Sequence, residues 1–138
     1  MSKTTRQIVI PHSRQRKRVL IIDDDHDILD LLEIILYQHY DIATAINGFE
    51  GLKIAGSLKP DLILTDIMMP VMDGIKLLNN LRKQSETATI PVIAITAFVK
   101  EHSVKSLMNL GFTAVAGKPF DKEEIITLIE KKLERHEH

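Results

Sequence analysis

Apolar residues along this chain keep two rhythms. Short unbroken runs at 19–22, 62–64 and 92–95, and the small-residue run 113–116, are separated by longer stretches where Ile, Leu and Val recur every three or four positions. Unbroken runs suit strands buried on both faces, and the three-to-four spacing suits helices with one apolar stripe. The stripes are Ile28, Leu31, Leu32, Ile35 and Leu36 over 27–38; Ile75, Leu77, Leu78 and Leu81; Val104, Leu107 and Met108 within 99–110; and Ile125, Ile126, Ile129 and Leu133 over 121–133. Residues 41–45 read as a further short strand, and Asn47-Gly48 turns into a helix over 49–58. Gly111 is placed to stop the helix before it, and Asp121 to cap the one after.

Five strand–helix units without an internal repeat or linker predict an α/β fold, a five-stranded doubly wound parallel sheet with five helices. The flavodoxin-like strand order 2-1-3-4-5 is one that such folds adopt; periodicity does not specify it. Parallel strands deliver their C-terminal ends to one edge. Asp23 and Asp24, Asp66, Thr96 and Lys118 stand at or just past the ends of four of the runs, so they are expected to converge in one crevice.

Composition narrows the choices. At 138 residues, 44% hydrophobic and 27% charged, the chain suits one core and one domain. No apolar stretch reaches the roughly 18–20 residues that span a bilayer, and no signal-peptide pattern opens the chain, so a cytoplasmic location is expected. Absence of cysteine excludes disulfides, thiolate nucleophiles and Cys-based zinc sites. Absence of tryptophan, with few other aromatics, argues against a base-stacking platform, and direct DNA binding is not expected.

Net charge of −1 conceals an asymmetry. Lys3, Arg6, Arg14, Arg16, Lys17 and Arg18 put six cations and no acid in residues 1–18, leaving 12 basic against 19 acidic residues afterwards. Residues 1–17 therefore read as a basic, poorly ordered tail ahead of a domain over 18–138. Its apolar segment Ile8-Val9-Ile10-Pro11 is the part able to pack on something.

Adjacent carboxylates at a strand end repel one another unless a proton or cation neutralises them. Asp23, Asp24 and Asp66 offer hard oxygen ligands without imidazole or thiolate, which suits Mg²⁺. A carboxylate such as Asp66, facing a metal-bound phosphoryl group, is a competent nucleophile and would give an aspartyl phosphate. Lys118 would stabilise the transferring charge, and Thr96 offers a donor to a phosphoryl oxygen.

Four segments together resemble the receiver domain of two-component response regulators. They are Val19-Leu-Ile-Ile-Asp-Asp-Asp25, Pro60-Asp-Leu-Ile-Leu-Thr-Asp-Ile-Met-Met-Pro-Val-Met-Asp-Gly74, Pro91-Val-Ile-Ala-Ile-Thr-Ala97 and Gly117-Lys-Pro-Phe120. The resemblance covers residues 18–134 and implies that Asp66 accepts phosphate from a histidine kinase or histidine phosphotransfer protein. It implies Mg²⁺ held by Asp24, Asp66 and the backbone carbonyl of Met68, with Asp23 reached partly through water. Thr96 and Lys118 take the hydroxyl and lysine roles, and Lys118-Pro119 resembles the family's cis peptide. The expected protein is a stand-alone, chemotaxis-regulator-like receiver. It acts on itself and is not otherwise an enzyme. It would signal by relaying phosphate onward or by phosphorylation-dependent binding of a partner on the helix over 99–110, the strand over 113–116 and the helix over 121–133, as a monomer or a phosphorylation-linked dimer.

Two departures stand out. The family carries an aromatic three positions before the lysine, where this chain has Val115, stiff at χ1 and too small for a comparable swing. Met68 and Phe98, each two positions past a functional residue, are bulky and apolar, and are expected to hinder the water that attacks the acyl phosphate. Asp25 and His26 read as solvent-facing residues at a helix start, Asp73 as turn or N-cap chemistry, and 136–138 as a frayed end. Rival readings are a phosphorylation-independent docking module and a haloacid-dehalogenase-like phosphatase. The latter expects Thr or Val where Asp27 stands and a cap for which there is no sequence. A flavodoxin is disfavoured because acids in the first loop repel a phosphate.

Overall fold

Ten elements alternate in the computed structural model, which describes residues 16–97 and 103–137. They are β1 (Arg18–Ile22), α1 (His26–Leu36), β2 (Asp41–Ala45), α2 (Gly48–Leu58), β3 (Leu62–Thr65), α3 (Gly74–Lys83), β4 (Val92–Thr96), α4 (Val104–Leu110), β5 (Ala114–Gly117) and α5 (Lys122–Glu137). All strand pairs are parallel and the order is β2-β1-β3-β4-β5, the 2-1-3-4-5 arrangement expected.

The unbroken apolar runs are explained by two cores, one on each side of the sheet. Leu20, Ile22, Ile63, Val92 and Ala94 point toward α2, α3 and α4, where they meet Ala55, Leu77, Leu78, Leu81 and Leu107. Alternate residues Val19, Ile21, Leu62, Leu64, Ile93 and Ile95 point the other way, against Leu29, Leu32 and Leu36 of α1 and Ile125, Ile129 and Leu133 of α5. With both faces covered, no strand position in β3 or β4 is left for a polar residue except near the C-terminal ends.

Short polar side chains start the helices by accepting from backbone N–H groups that would otherwise lack a partner. Asp25 accepts from Asp27, Asn47 from Glu50, Asp73 from Lys76, Ser103 from Ser106 and Asp121 from Glu124. Asp73 and Asp121 thus have the capping roles expected of them, and Asp25, expected only to face solvent ahead of the helix, also caps α1. Gly111, at φ 116°, ends α4 in a backbone region that glycine enters without a Cβ penalty.

Three boundaries differ from the sequence reading. The helix expected over 99–110 begins at Val104, because the Ser103 hydroxyl caps it there; Val99 lies outside the described residues. The last strand is shifted one residue, ending at Gly117, whose register partner is Thr96. The helix expected to end near Leu133 runs on to Glu137, through residues of high helix propensity that follow a buried Leu133. Residues 136 and 137, expected as a frayed end, are therefore helical in backbone. Arg16 and Lys17, read as tail, contact the domain: the Lys17 carbonyl accepts from Asp41 N–H, and Arg16 reaches the end of α1.

Candidate functional site

Sheet register builds the crevice. Ile22 pairs with Thr65, so the next residues, Asp23 and Asp66, emerge side by side from β1 and β3. Thr96 ends β4 opposite Gly117, and Lys118 follows, its N–H donating to the Thr96 carbonyl at 3.1 Å. Four strands thus bring together residues as far apart as 23 and 118.

At the centre the Lys118 ammonium joins two acids. It donates to Asp23 Oδ2 at 2.9 Å and to Asp66 Oδ2 at 3.0 Å. The remaining carboxylate oxygens take backbone donors: Asp25 N–H reaches Asp23 Oδ1 at 2.9 Å, and Ile67 N–H reaches Asp66 Oδ1 at 2.7 Å. Asp23 is 2% and Asp66 8% exposed, and Thr96 is fully buried. Burial lifts the Asp23 carboxyl above its ordinary range; hydrogen bonds from Lys118 and Asp25 offset this in part, while the charge of Asp66 adds to it. Burial works against the Lys118 charge, but hydrogen bonds to Asp23 and Asp66 and their negative charges outweigh it and raise the ammonium. Lysine stays cationic; the acids beside it are crowded.

Asp24 differs from its neighbour. It is exposed, yet one of its oxygens lies with oxygens of Asp23 and Asp66 in a group no more than 4.8 Å apart. Three carboxylates at that spacing, with no nitrogen or sulfur donor among them, fit a hard divalent cation such as Mg²⁺. Met68 lies two residues past Asp66 with an exposed side chain, and Phe98 lies outside the described residues. Asp25 and His26 face solvent, as expected. The Lys118-Pro119 peptide is cis.

Gly74 belongs to the site in a way the sequence reading did not single out. A Cβ there would sit 2.4 Å from the Asp66 carbonyl oxygen and 3.0 Å from Ile67 Cα, while Gly74 N–H donates to the Ile67 carbonyl at 2.8 Å. The start of α3 therefore props the backbone that aims Asp66. The signal was the Asp73-Gly74 pair, which reads equally well as a helix start and gives no hint of that close approach. Val115, where an aromatic was expected, is half-buried against the α2–α3–α4 core. With Ala116, Gly117, Glu124, Ile125 and Leu128 it lines a cleft of about 290 Å³ between β5 and α5.

Known proteins resemble this chain in sequence and in fold. A family model described as the response regulator receiver domain matches residues 19–130. The DNA-binding dual master transcriptional regulator RpaA of Synechocystis is 39% identical over 119 residues, 86% of this chain and 49% of its own length. The chain spans about half the length of such transcriptional-regulator relatives. Among solved structures, a CheY-like receiver domain protein of Methanospirillum hungatei is 31% identical with a TM-score of 0.81, covering 88% of this chain and 97% of that one. The CheX-CheY complex of Borrelia burgdorferi, with BeF3 and Mg²⁺, matches at 30% identity and a TM-score of 0.76, covering 83% and 87%. Among the described residues no helix is long and apolar enough to cross a membrane.

Proposed function

The chain belongs to the response regulator receiver domain family, and from that premise we propose that Asp66 is the phosphoacceptor of a magnesium-dependent signalling switch. The observation that carries the reading is the Asp23–Lys118–Asp66 bridge: a buried carboxylate whose two oxygens are held by an ammonium and a backbone N–H. Such a carboxylate has no rotamer freedom to lose when it attacks. One Asp66 oxygen forms a bond to phosphorus as the bond from phosphorus to the donor's histidine nitrogen breaks, its electron pair leaving with the imidazole. Lys118, cationic and already 3.0 Å from Asp66, moves onto a phosphoryl oxygen and meets the charge that develops there. Thr96, at the end of the neighbouring strand, supplies the hydroxyl for a further oxygen.

Asp24, Asp66 and the backbone carbonyl of Met68 would hold Mg²⁺, with Asp23 contributing partly through water. When bound, the ion neutralises the clustered acids and the phosphoryl oxygens. The donors in this reading are a histidine kinase or a histidine phosphotransfer protein, acting in the cytoplasm. The output is a protein partner docked on α4, β5 and α5, where Val104, Met108 and Leu110 of α4 are exposed apolar residues. With Val115 in place of the aromatic, phosphorylation acts by moving the segment after Thr96 and α4, without a swinging ring.

Intact-mass spectrometry after incubation with acetyl phosphate and Mg²⁺ tests this. A single adduct of about 80 Da, absent without Mg²⁺ and in Asp66→Asn, is the expected result. No adduct with acetyl phosphate or with a phosphorylated histidine phosphotransfer protein would turn the reading toward a phosphorylation-independent docking module.

A further inference from the structure

Among the described residues, one side of α1 is uncovered. Leu29, Leu32 and Leu36 face the core, but Leu31, Ile34 and Tyr37 are 45%, 68% and 56% exposed. A surface helix ordinarily gives that side to charged and polar residues. At helical spacing Asp27, Asp30 and Glu33 share it, all exposed, and α1 contains no lysine or arginine. Asp30, Glu33, Ile34 and Tyr37 line a shallow depression of about 420 Å³. An apolar strip edged by three acids fits an extended segment that is apolar in its middle and basic at its ends.

The chain itself supplies that segment at that place. Arg16 donates to the Tyr37 carbonyl and, at 2.9 Å, to the Tyr40 carbonyl, and pairs with Asp41 at 3.4 Å. These contacts hold residue 16 at the C-terminal end of α1, beside Tyr37, a member of the exposed strip. The preceding residues carry Lys3, Arg6 and Arg14, no acid, and the run Ile8-Val9-Ile10. Extended backbone advances roughly 3.3 Å per residue, so the six steps from Arg16 back to Ile10 reach about 20 Å. From Tyr37 to Leu31 the helix rises only about 9 Å, at roughly 1.5 Å per residue. The apolar run therefore reaches the whole strip with slack.

We propose that residues 3–14 dock on the outer face of α1, setting Ile8, Val9 and Ile10 against Leu31, Ile34 and Tyr37 and the cations of Lys3, Arg6 and Arg14 among Asp27, Asp30 and Glu33. The occupant is this chain's own segment, tethered at Arg16, and the proposal is independent of the phosphoacceptor reading. Docking removes an exposed apolar strip from solvent and sets three cations among three acids. Any partner that approaches α1 must displace it.

Tyrosine fluorescence reads this directly, because the chain has two tyrosines and no tryptophan, and Tyr40 is buried. Acrylamide quenching of Tyr37 is compared in the full chain and in a variant lacking residues 2–14 but keeping Arg16. A tethered segment acts at roughly millimolar effective concentration, so its removal is expected to raise the quenching constant about two-fold. The difference should shrink between about 0.01 M and 1 M salt, where the Debye length falls from about 30 Å to 3 Å. It should also be independent of protein concentration. Ile34→Glu should raise quenching in the full chain and leave the truncated chain unchanged, the latter serving as control for any direct effect on Tyr37. Equal quenching of the two chains at low salt would overturn the proposal. So would protection lost on dilution alongside a dimeric mass, which would make the occupant a second copy.

Discussion

The two edges of the sheet use their polar side chains in different ways. At the N-terminal edge, apart from the exposed Arg16–Asp41 pair, they serve backbone. Asp61 accepts from Arg18 N–H at 2.8 Å, Thr113 from Val92 N–H at 3.0 Å, the Thr87 hydroxyl donates to the Leu81 carbonyl at 2.7 Å, and Arg82 donates to the Ile90 carbonyl at 2.8 Å. At the C-terminal edge Asp23 and Asp66 each keep one backbone donor but also share Lys118 and crowd each other's charge. Side chains that complete backbone hydrogen bonds stabilise the fold, and their loss leaves a buried group unsatisfied. Like charges gathered in a crevice weaken the fold and are useful only when something arrives to neutralise them.

Substitutions sharpen that contrast. The largest effect expected is chemical: Asp66→Asn should abolish the phosphoryl adduct in intact-mass measurements while holding stability within about 1 kcal/mol, since it removes one of two crowded charges. Gly74→Ala crosses the divide. Its Cβ would strike the Asp66 carbonyl, so urea denaturation should show a loss of about 1–3 kcal/mol, accompanied by slower adduct formation. Thr87→Val, at the opposite edge, should cost about 0.5–1.5 kcal/mol by removing the shorter of the two hydrogen bonds to the Leu81 carbonyl, which keeps only the Gln84 N–H at 3.4 Å, with adduct formation at the wild-type rate. A slowed rate there would mean that the two edges are not separable.

Smaller effects should run the other way, toward greater stability. Val71, in the segment between Asp66 and α3, is a β-branched residue at φ 73° and 81% exposed. Val71→Gly should stabilise the domain by about 1 kcal/mol through relief of that strain. Asp23→Asn, measured in Mg²⁺-free buffer, should raise the denaturation midpoint modestly at neutral pH. Because the folded Asp23 carboxyl lies above its unfolded value, its ionised form disfavours folding at pH values above both. That penalty fades as pH falls through the folded value and is gone below the unfolded one. The gap between Asn and Asp should therefore close toward acid pH; a gap that widens would mean that Lys118 outweighs burial.

Much of this was legible along the chain because strand and helix periodicity is local. Val19–Ile22, Leu62–Leu64 and Val92–Ile95 read as doubly buried strands, and each is followed by its polar residue at the right position. The five-residue cluster of Asp23, Asp24, Asp66, Thr96 and Lys118 was found by that route alone. The start of α4 was missed because the apolar stripe extends to Val99, while Ser103 carries the capping hydroxyl that decides the boundary. Gly74 was missed because its role is the absence of an atom, visible only once the Asp66 backbone lies against it.

By itself the sequence determined the alternation of elements, the doubly apolar strands and the chemical types at the strand ends, since these depend on neighbours within a turn or a pleat. Tertiary structure decided which acids matter to which. Asp23 and Asp24 are adjacent in sequence, yet one is buried against Lys118 and the other is exposed. Lys118 reaches acids 95 and 52 residues away, and Arg16 closes on the end of α1. Those choices follow from strand register and side-chain burial, and a charge's strength depends on how much water its neighbours leave around it.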